Sequence, residues 1–145
     1  MRIGNLYDFD FLEWTLKNAE LLREGRFAEA DILHIAEEIE DMAGNQRREL
    51  RSRLRVLATH LLKWKYQPGL RGPSWRRTIR TQRAEIADLV RFAPSLGREA
   101  GANLLEVYRR AAADAVDDTG LPRSHFPPEC PFSLEQVLDE EFFPE

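Results

Sequence analysis

A single cysteine, Cys130, stands in a chain of 145 residues. No internal disulfide can form, and no cysteine-built zinc site is available. No apolar run approaches the roughly 18 residues of a membrane span, and the opening stretch to Phe11 carries Asp8 and Asp10 where a signal peptide carries its apolar segment. The expected location is therefore the cytoplasm, with no membrane partner. No segment alternates apolar and polar residues as a half-buried strand does. A Gly-rich phosphate loop, a Gly-x-Ser-x-Gly elbow and a Rossmann fingerprint are all missing, which leaves nucleotide-dependent chemistry without support. With 43% hydrophobic and 32% charged residues, 8 Gly and 8 Pro, the composition is that of one globular domain with a core, neither low-complexity nor collagenous.

What is present is helical periodicity cut by Gly and Pro. Residues 8–24 read as a first helix on Phe9, Leu12, Leu16 and Ala19, with Asp10 and Glu13 in capping-box spacing and Gly25 at its end. A second runs from Asp31 through Ile32, Ile35/Ala36, Ile39 and Met42/Ala43 to Gly44. The third, from Asn45, steps through Leu50, Leu54, Leu57, Leu61 and Trp64 and breaks at Gln67-Pro68-Gly69. After Gly72-Pro73 a fourth carries Trp75, Ile79, Gln82, Ile86, Leu89 and Ala93 on one stripe, with Gln82 its polar exception. A fifth, capped by Ser95, uses Ala100, Leu104, Val107, Ala111 and Ala115 and stops at Thr119-Gly120. Prolines dominate residues 122–145, where Ser133 and Gln136 mark one short helix. The expected fold is all-α: an irregular up-and-down bundle of about five helices over residues 1–121, with an extended, aromatic C-terminal segment docked on it.

Four blocks together resemble a bacterial family catalogued as domain of unknown function 29. They are Phe11-Leu12-Glu13-Trp14 with Ala19 to Arg23, the Ile35 to Asp41 stretch containing Glu-Glu-Ile-Glu, the run from His60 to Pro68 followed by Ser74 to Arg83, and the Phe126 to Gln136 segment with Asp139 and Phe143-Pro144. The resemblance covers nearly the whole chain and implies an all-helical fold. It implies no activity.

Charge is distributed unevenly. Between Gln46 and Arg83 there are 12 basic residues against Glu49 alone, or +11, while the chain as a whole is -4. One reading makes the third and fourth helices a surface for an acidic ligand or another protein, using Arg53, Trp64, Arg76, Arg80, Gln82 and Arg83. In the other reading, Glu37, Glu38, Glu40 and Asp41 of an adjacent second helix neutralise those bases internally. The net negative charge favours a protein or acidic ligand over nucleic acid.

Three catalytic candidates follow from spacing. If the second and third helices form an antiparallel hairpin, Glu38 or Glu40 approaches His60, giving an acid–base pair, two metal ligands completed by Asp31 or Gln82, or a structural polar cluster with Gln82. Arg55 and His60, with four residues between them, are similar to the pair of the helical ribonuclease superfamily HEPN. His125 and Cys130 could suggest a metal pair, whereas His34 reads as a surface residue on the acidic helix. The expectation is a non-catalytic intracellular interaction or adaptor protein without cofactor or metal. The alternative is a helical enzyme, either a ribonuclease using Arg55 and His60 or a metal-dependent hydrolase using the Glu/His cluster.

Overall fold

The computed structural model describes residues 2–145, and every regular element among them is helical. The elements are α1 (Ile3–Phe9), α2 (Phe11–Arg23), α3 (Ile32–Tyr66), α4 (Pro73–Phe92), α5 (Pro94–Thr119) and the short α6 (Leu134–Leu138), with one-turn 3-10 helices at Pro68–Leu70 and Arg123–His125. Their contacts divide the chain into two compact units, Met1–Asn45 and Gln46–Glu145. No helix among the described residues is long and apolar enough to cross a membrane.

Three boundaries differ from the sequence reading. The first helix is two, α1 and α2, parted at Asp10, whose side chain accepts the Glu13 amide at 3.0 Å and so starts α2. The second and third helices are one, the 35-residue α3. Gly44 does not end it, because a glycine in a helix interior costs only about 1 kcal/mol, and no proline follows to forbid the next turn. Finally, α5 begins at Pro94 with Ala93 as its N-cap, not at Ser95. Proline suits that first position, since its missing N–H would have no partner there.

The other punctuation acts as read. Pro73 opens α4, and Gly120, at φ 74°, takes the left-handed conformation that terminates α5. Ser133 and Gln136 close a reciprocal capping box on α6.

Within the Gln46–Glu145 unit, Leu50, Leu54, Leu57, Leu61 and Trp64 of α3 pack with Ile79 and Ile86 of α4 and with the α5 stripe through Leu104 and Val107. Ala100, Ala111 and Ala115 keep α5 slim on the same face. Phe126, Phe132 and Val137 are buried in this core. The Tyr108 hydroxyl donates to the Pro127 carbonyl at 2.7 Å, fastening the chain beyond α5 to that helix.

Among the described residues of the Met1–Asn45 unit, only Trp14, Asn18 and Leu21 are buried. The Asn18 amide donates to the Trp14 carbonyl, while its oxygen accepts the Asp31 N–H at 2.8 Å. Polar bonds therefore fix the approach of α2 to the start of α3.

Candidate functional site

The fused α3 removes the predicted hairpin. Glu38 and His60 lie on one helix, 22 positions apart in sequence, or about six turns. They are not brought together, and neither are Glu40 and His60, so the Glu/His cluster does not form. Gln82 is not beside His60 either: its Oε1 accepts from Arg53 at 3.3 Å.

Glu38 instead accepts a short hydrogen bond from the Tyr7 hydroxyl, which pushes the phenol up to about 12. Tyr7 stacks on His34 with ring centroids 4.0 Å apart and planes 10° from parallel. Asp31 bonds the His34 Nδ1 at 2.6 Å and accepts the Trp14 indole N–H at 2.9 Å. Burial alone would raise the Asp31 carboxyl, but the bonds from His34 and Trp14 hold it below its ordinary value. The same Asp31 bond raises His34. His34, expected as a bare surface residue, is thus half-buried in a five-residue network. Its spacing from Asp31, i to i+3 at a helix start, was the available signal; its pairing with Tyr7 was not visible in the sequence.

His60 is half-buried on α3. Its Nδ1 donates to the Val56 carbonyl at 2.8 Å, which leaves Nε2 as the acceptor of the neutral ring. A small cavity of about 210 Å³ lies beside it, lined also by Val56, Thr59, Asp114, Asp117 and Asp118. Burial lowers its pKa, with Lys63 adding to that and Asp118 opposing it. The other member of the HEPN-like pair, Arg55, donates from Nε and Nη2 to the two carboxylate oxygens of Asp114, at 2.6 and 2.8 Å.

The two histidines titrate with opposite linkage. His34, raised on folding, contributes stability that is complete below about pH 6.5 and lost as pH rises through its folded value. His60, lowered on folding, contributes stability present above about pH 6.5 and lost as pH falls through its folded value. Urea midpoints from pH 5 to 8 check this. The His60→Gln variant should lose stability less steeply than wild type toward acid, and His34→Gln should lose it less steeply toward alkaline pH. Parallel profiles for all three proteins would contradict the assignment.

Nine of the twelve basic residues between Gln46 and Arg83 sort into two groups. Five on α3 are ion-paired: Arg47 with Glu99, Arg51 with Glu106, Arg55 with Asp114 and Lys63 with Asp118, these acids all on α5, and Arg53 with Glu49 and Glu85. The acids are not Glu37, Glu38, Glu40 and Asp41, which belong to the same helix as the bases and cannot pack beside them. Arg53 and Gln82 together line a shallow cavity of about 240 Å³ that Glu49 shares.

The second group faces a larger cleft of about 640 Å³, lined by Trp64, Arg71, Gly72, Pro73, Arg76, Arg77, Arg80 and Thr81. Of the candidate binding residues, Trp64, Arg76 and Arg80 line this cleft, together with Arg71 and Arg77 of the same basic run. Arg71 is fixed by donating to the Trp64 carbonyl at 2.7 Å and the Pro144 carbonyl at 3.1 Å. The Trp64 ring is flanked by the guanidinium groups of Arg71 and Arg76 at 5.3 and 5.5 Å. Among the described residues no carboxylate forms an ion pair with Arg71, Arg76, Arg77 or Arg80.

Arg83, one turn further along α4, is only 3% exposed. Its Nε donates to the Val137 carbonyl at 2.8 Å and its Nη2 to the Gln136 carbonyl at 3.3 Å, while Nη1 is buried without a partner. Burial lowers its pKa against the pull of Asp139 and Glu140, and a guanidinium stays charged under such a load. Arg83 therefore holds α6 from the inside of the structure.

Cys130 is half-buried and bonds the Phe132 carbonyl at 3.4 Å, and burial raises its thiol. His125 packs edge-on to Tyr66. Among the described residues no three His, Cys, Asp or Glu side chains converge as a metal site.

No curated protein and no solved structure matches the chain. A family model does, over residues 6–143, nearly the whole length, a span that takes in every residue of the arginine cleft. The chain belongs to the family described as Domain of unknown function DUF29.

Proposed function

We propose that this chain is a small non-catalytic interaction protein that grips an acidic segment of another protein through the arginine cleft at the start of α4, in a cytoplasmic setting. The observation that carries the reading is the contrast between the arginines of α3 paired with α5 acids and the cleft arginines, which form no ion pair among the described residues. Charged groups exposed in a concave site and held by backbone and ring contacts are preorganised donors for carboxylates, and arginine's fork suits them bidentately. Arg55, in contrast, is engaged by Asp114, which favours a structural role for it over attack on RNA.

Calorimetric titration with an acidic, glutamate-rich peptide tests the reading. Each arginine removed deletes a charge-assisted bond of about 1.5–3 kcal/mol, so Arg76→Ala and Arg80→Ala should each weaken the peptide by about tenfold or more. Added salt should weaken the wild type as well. Absence of peptide binding would overturn the proposal. So would cleavage of an RNA oligonucleotide by wild type that His60→Ala abolishes.

A further inference from the structure

The concave surface does not end with the arginine cleft. A second cavity, of about 370 Å³, shares Arg80 with it and continues along α4 past Arg83 and Ala84, with Glu140, Glu141 and Phe143 of the chain beyond α6 as its other wall. Phe143 ties the two together. Its ring centroid lies 4.9 Å from that of Trp64, and the guanidinium groups of Arg76 and Arg83 stand 5.9 and 5.5 Å from it. Along this groove the sign of the lining changes: Arg71, Arg76, Arg77 and Arg80 surround the first cavity, and the second brings in two carboxylates.

Those carboxylates do not neutralise the cleft. Among the described residues neither Glu140 nor Glu141 forms an ion pair, and Arg80, which lines both cavities, forms none either. All three are exposed, so a ligand can reach them. The backbone that carries the two acids is fixed. Asp139 accepts the Glu141 N–H on its side chain at 2.9 Å and the Phe142 N–H on its carbonyl at 3.1 Å, and Arg83 holds the preceding turn through the Gln136 and Val137 carbonyls.

We infer that the groove reads a bipolar segment of a partner protein, with carboxylates in the arginine cleft and, further along the same segment, a lysine or arginine over Glu140 and Glu141. The inference rests on the acidic-segment reading above and adds the specificity of that site. A segment of one sign cannot complement the whole groove: an all-acidic one meets repulsion at Glu140 and Glu141, and such like-charge contacts exclude wrong partners. Spacing follows from the helix. Arg76 to Ala84 is eight positions, or about 12 Å along α4, which an extended chain covers in about four residues. The basic residue of the ligand therefore stands about four positions from the centre of its acidic cluster.

Calorimetric titration of the full chain with three heptapeptides of one composition tests the inference. Two are blocked, with three glutamates parted by two alanines from two lysines, in either order; the third intersperses the same residues. Equal net charge removes any difference in long-range attraction to the chain as a whole. One blocked order should bind about threefold or more tighter than the interspersed peptide, a modest gain because exposed pairs are individually weak. Glu140→Gln combined with Glu141→Gln should erase that preference, while an all-glutamate peptide binds the double variant at least as well as wild type. Three equal affinities overturn the inference and leave the acidic-segment reading standing, as does an order preference that survives the double variant. Failure of the all-glutamate and blocked peptides alike overturns both. Far-ultraviolet circular dichroism checks the fold of the double variant, and should it be disturbed, the order preference of the wild type decides.

Discussion

Replacing Arg83 with alanine is expected to lower the unfolding free energy by about 2–4 kcal/mol, a large effect for a polar residue. The guanidinium donates to the carbonyls of Gln136 and Val137, at the end of a five-residue helix whose last carbonyls have no partners within it. Alanine leaves both acceptors unpaired and withdraws the stem from Phe143, over whose ring the guanidinium lies at 5.5 Å. Two terms act against the wild type and limit the loss: the desolvated charge and the orphaned Nη1. Arg83→Met separates them. It fills most of the volume and removes the buried charge, so it should be less harmful than alanine, but the carbonyls still lack donors. Urea denaturation of the three proteins measures both differences. An alanine variant within about 0.5 kcal/mol of wild type, the usual range of a neutral surface change, would mean that α6 docks without Arg83.

Arg83 also shows where sequence reading of the fold stops. Helical class, the break at Gln67-Pro68-Gly69, the start at Pro73, the stop at Gly120 and the capping box at Ser133 were legible because each rests on local backbone chemistry. Gly44 was misleading for the same reason: its local cost is small, and the favourable turns on either side carry the helix through it. Periodicity pointed to Gln82 as the buried polar member of α4. The buried one is its neighbour Arg83, because what selects it is a pair of carbonyls more than 50 positions away in sequence. The site shows the same division. Clustering of Trp64, Arg76 and Arg80 could be read from a basic run on adjacent helices, but which bases are neutralised depends on acids of α5, and the error at Gly44 assigned them to the wrong helix. Tyr7 and His34 were missed because their stacking joins α1 to α3, a pairing no local pattern records.

Apolar periodicity carries the remaining large prediction, because one signal spans two environments. Leu61 is fully buried among α3, α4 and α5, and Leu61→Ala should cost about 2–5 kcal/mol at every protein concentration, the transfer term for the lost methylenes plus the cavity left in a packed core. Leu16 occupies the equivalent place in its own helical stripe but is exposed in the single chain. In dilute solution Leu16→Ala should therefore change stability by no more than about 0.5 kcal/mol, since it removes surface already in water. Urea denaturation of both variants and wild type reads the contrast. A loss above about 1 kcal/mol for Leu16→Ala would show the side chain to be buried within the chain. The physical point is that a 3.6-residue period specifies which face of a helix seeks cover. Whether that cover comes from the same chain is decided by what else the chain can bring to it, and among the described residues up to Asn45 the buried apolar side chains are only Trp14 and Leu21.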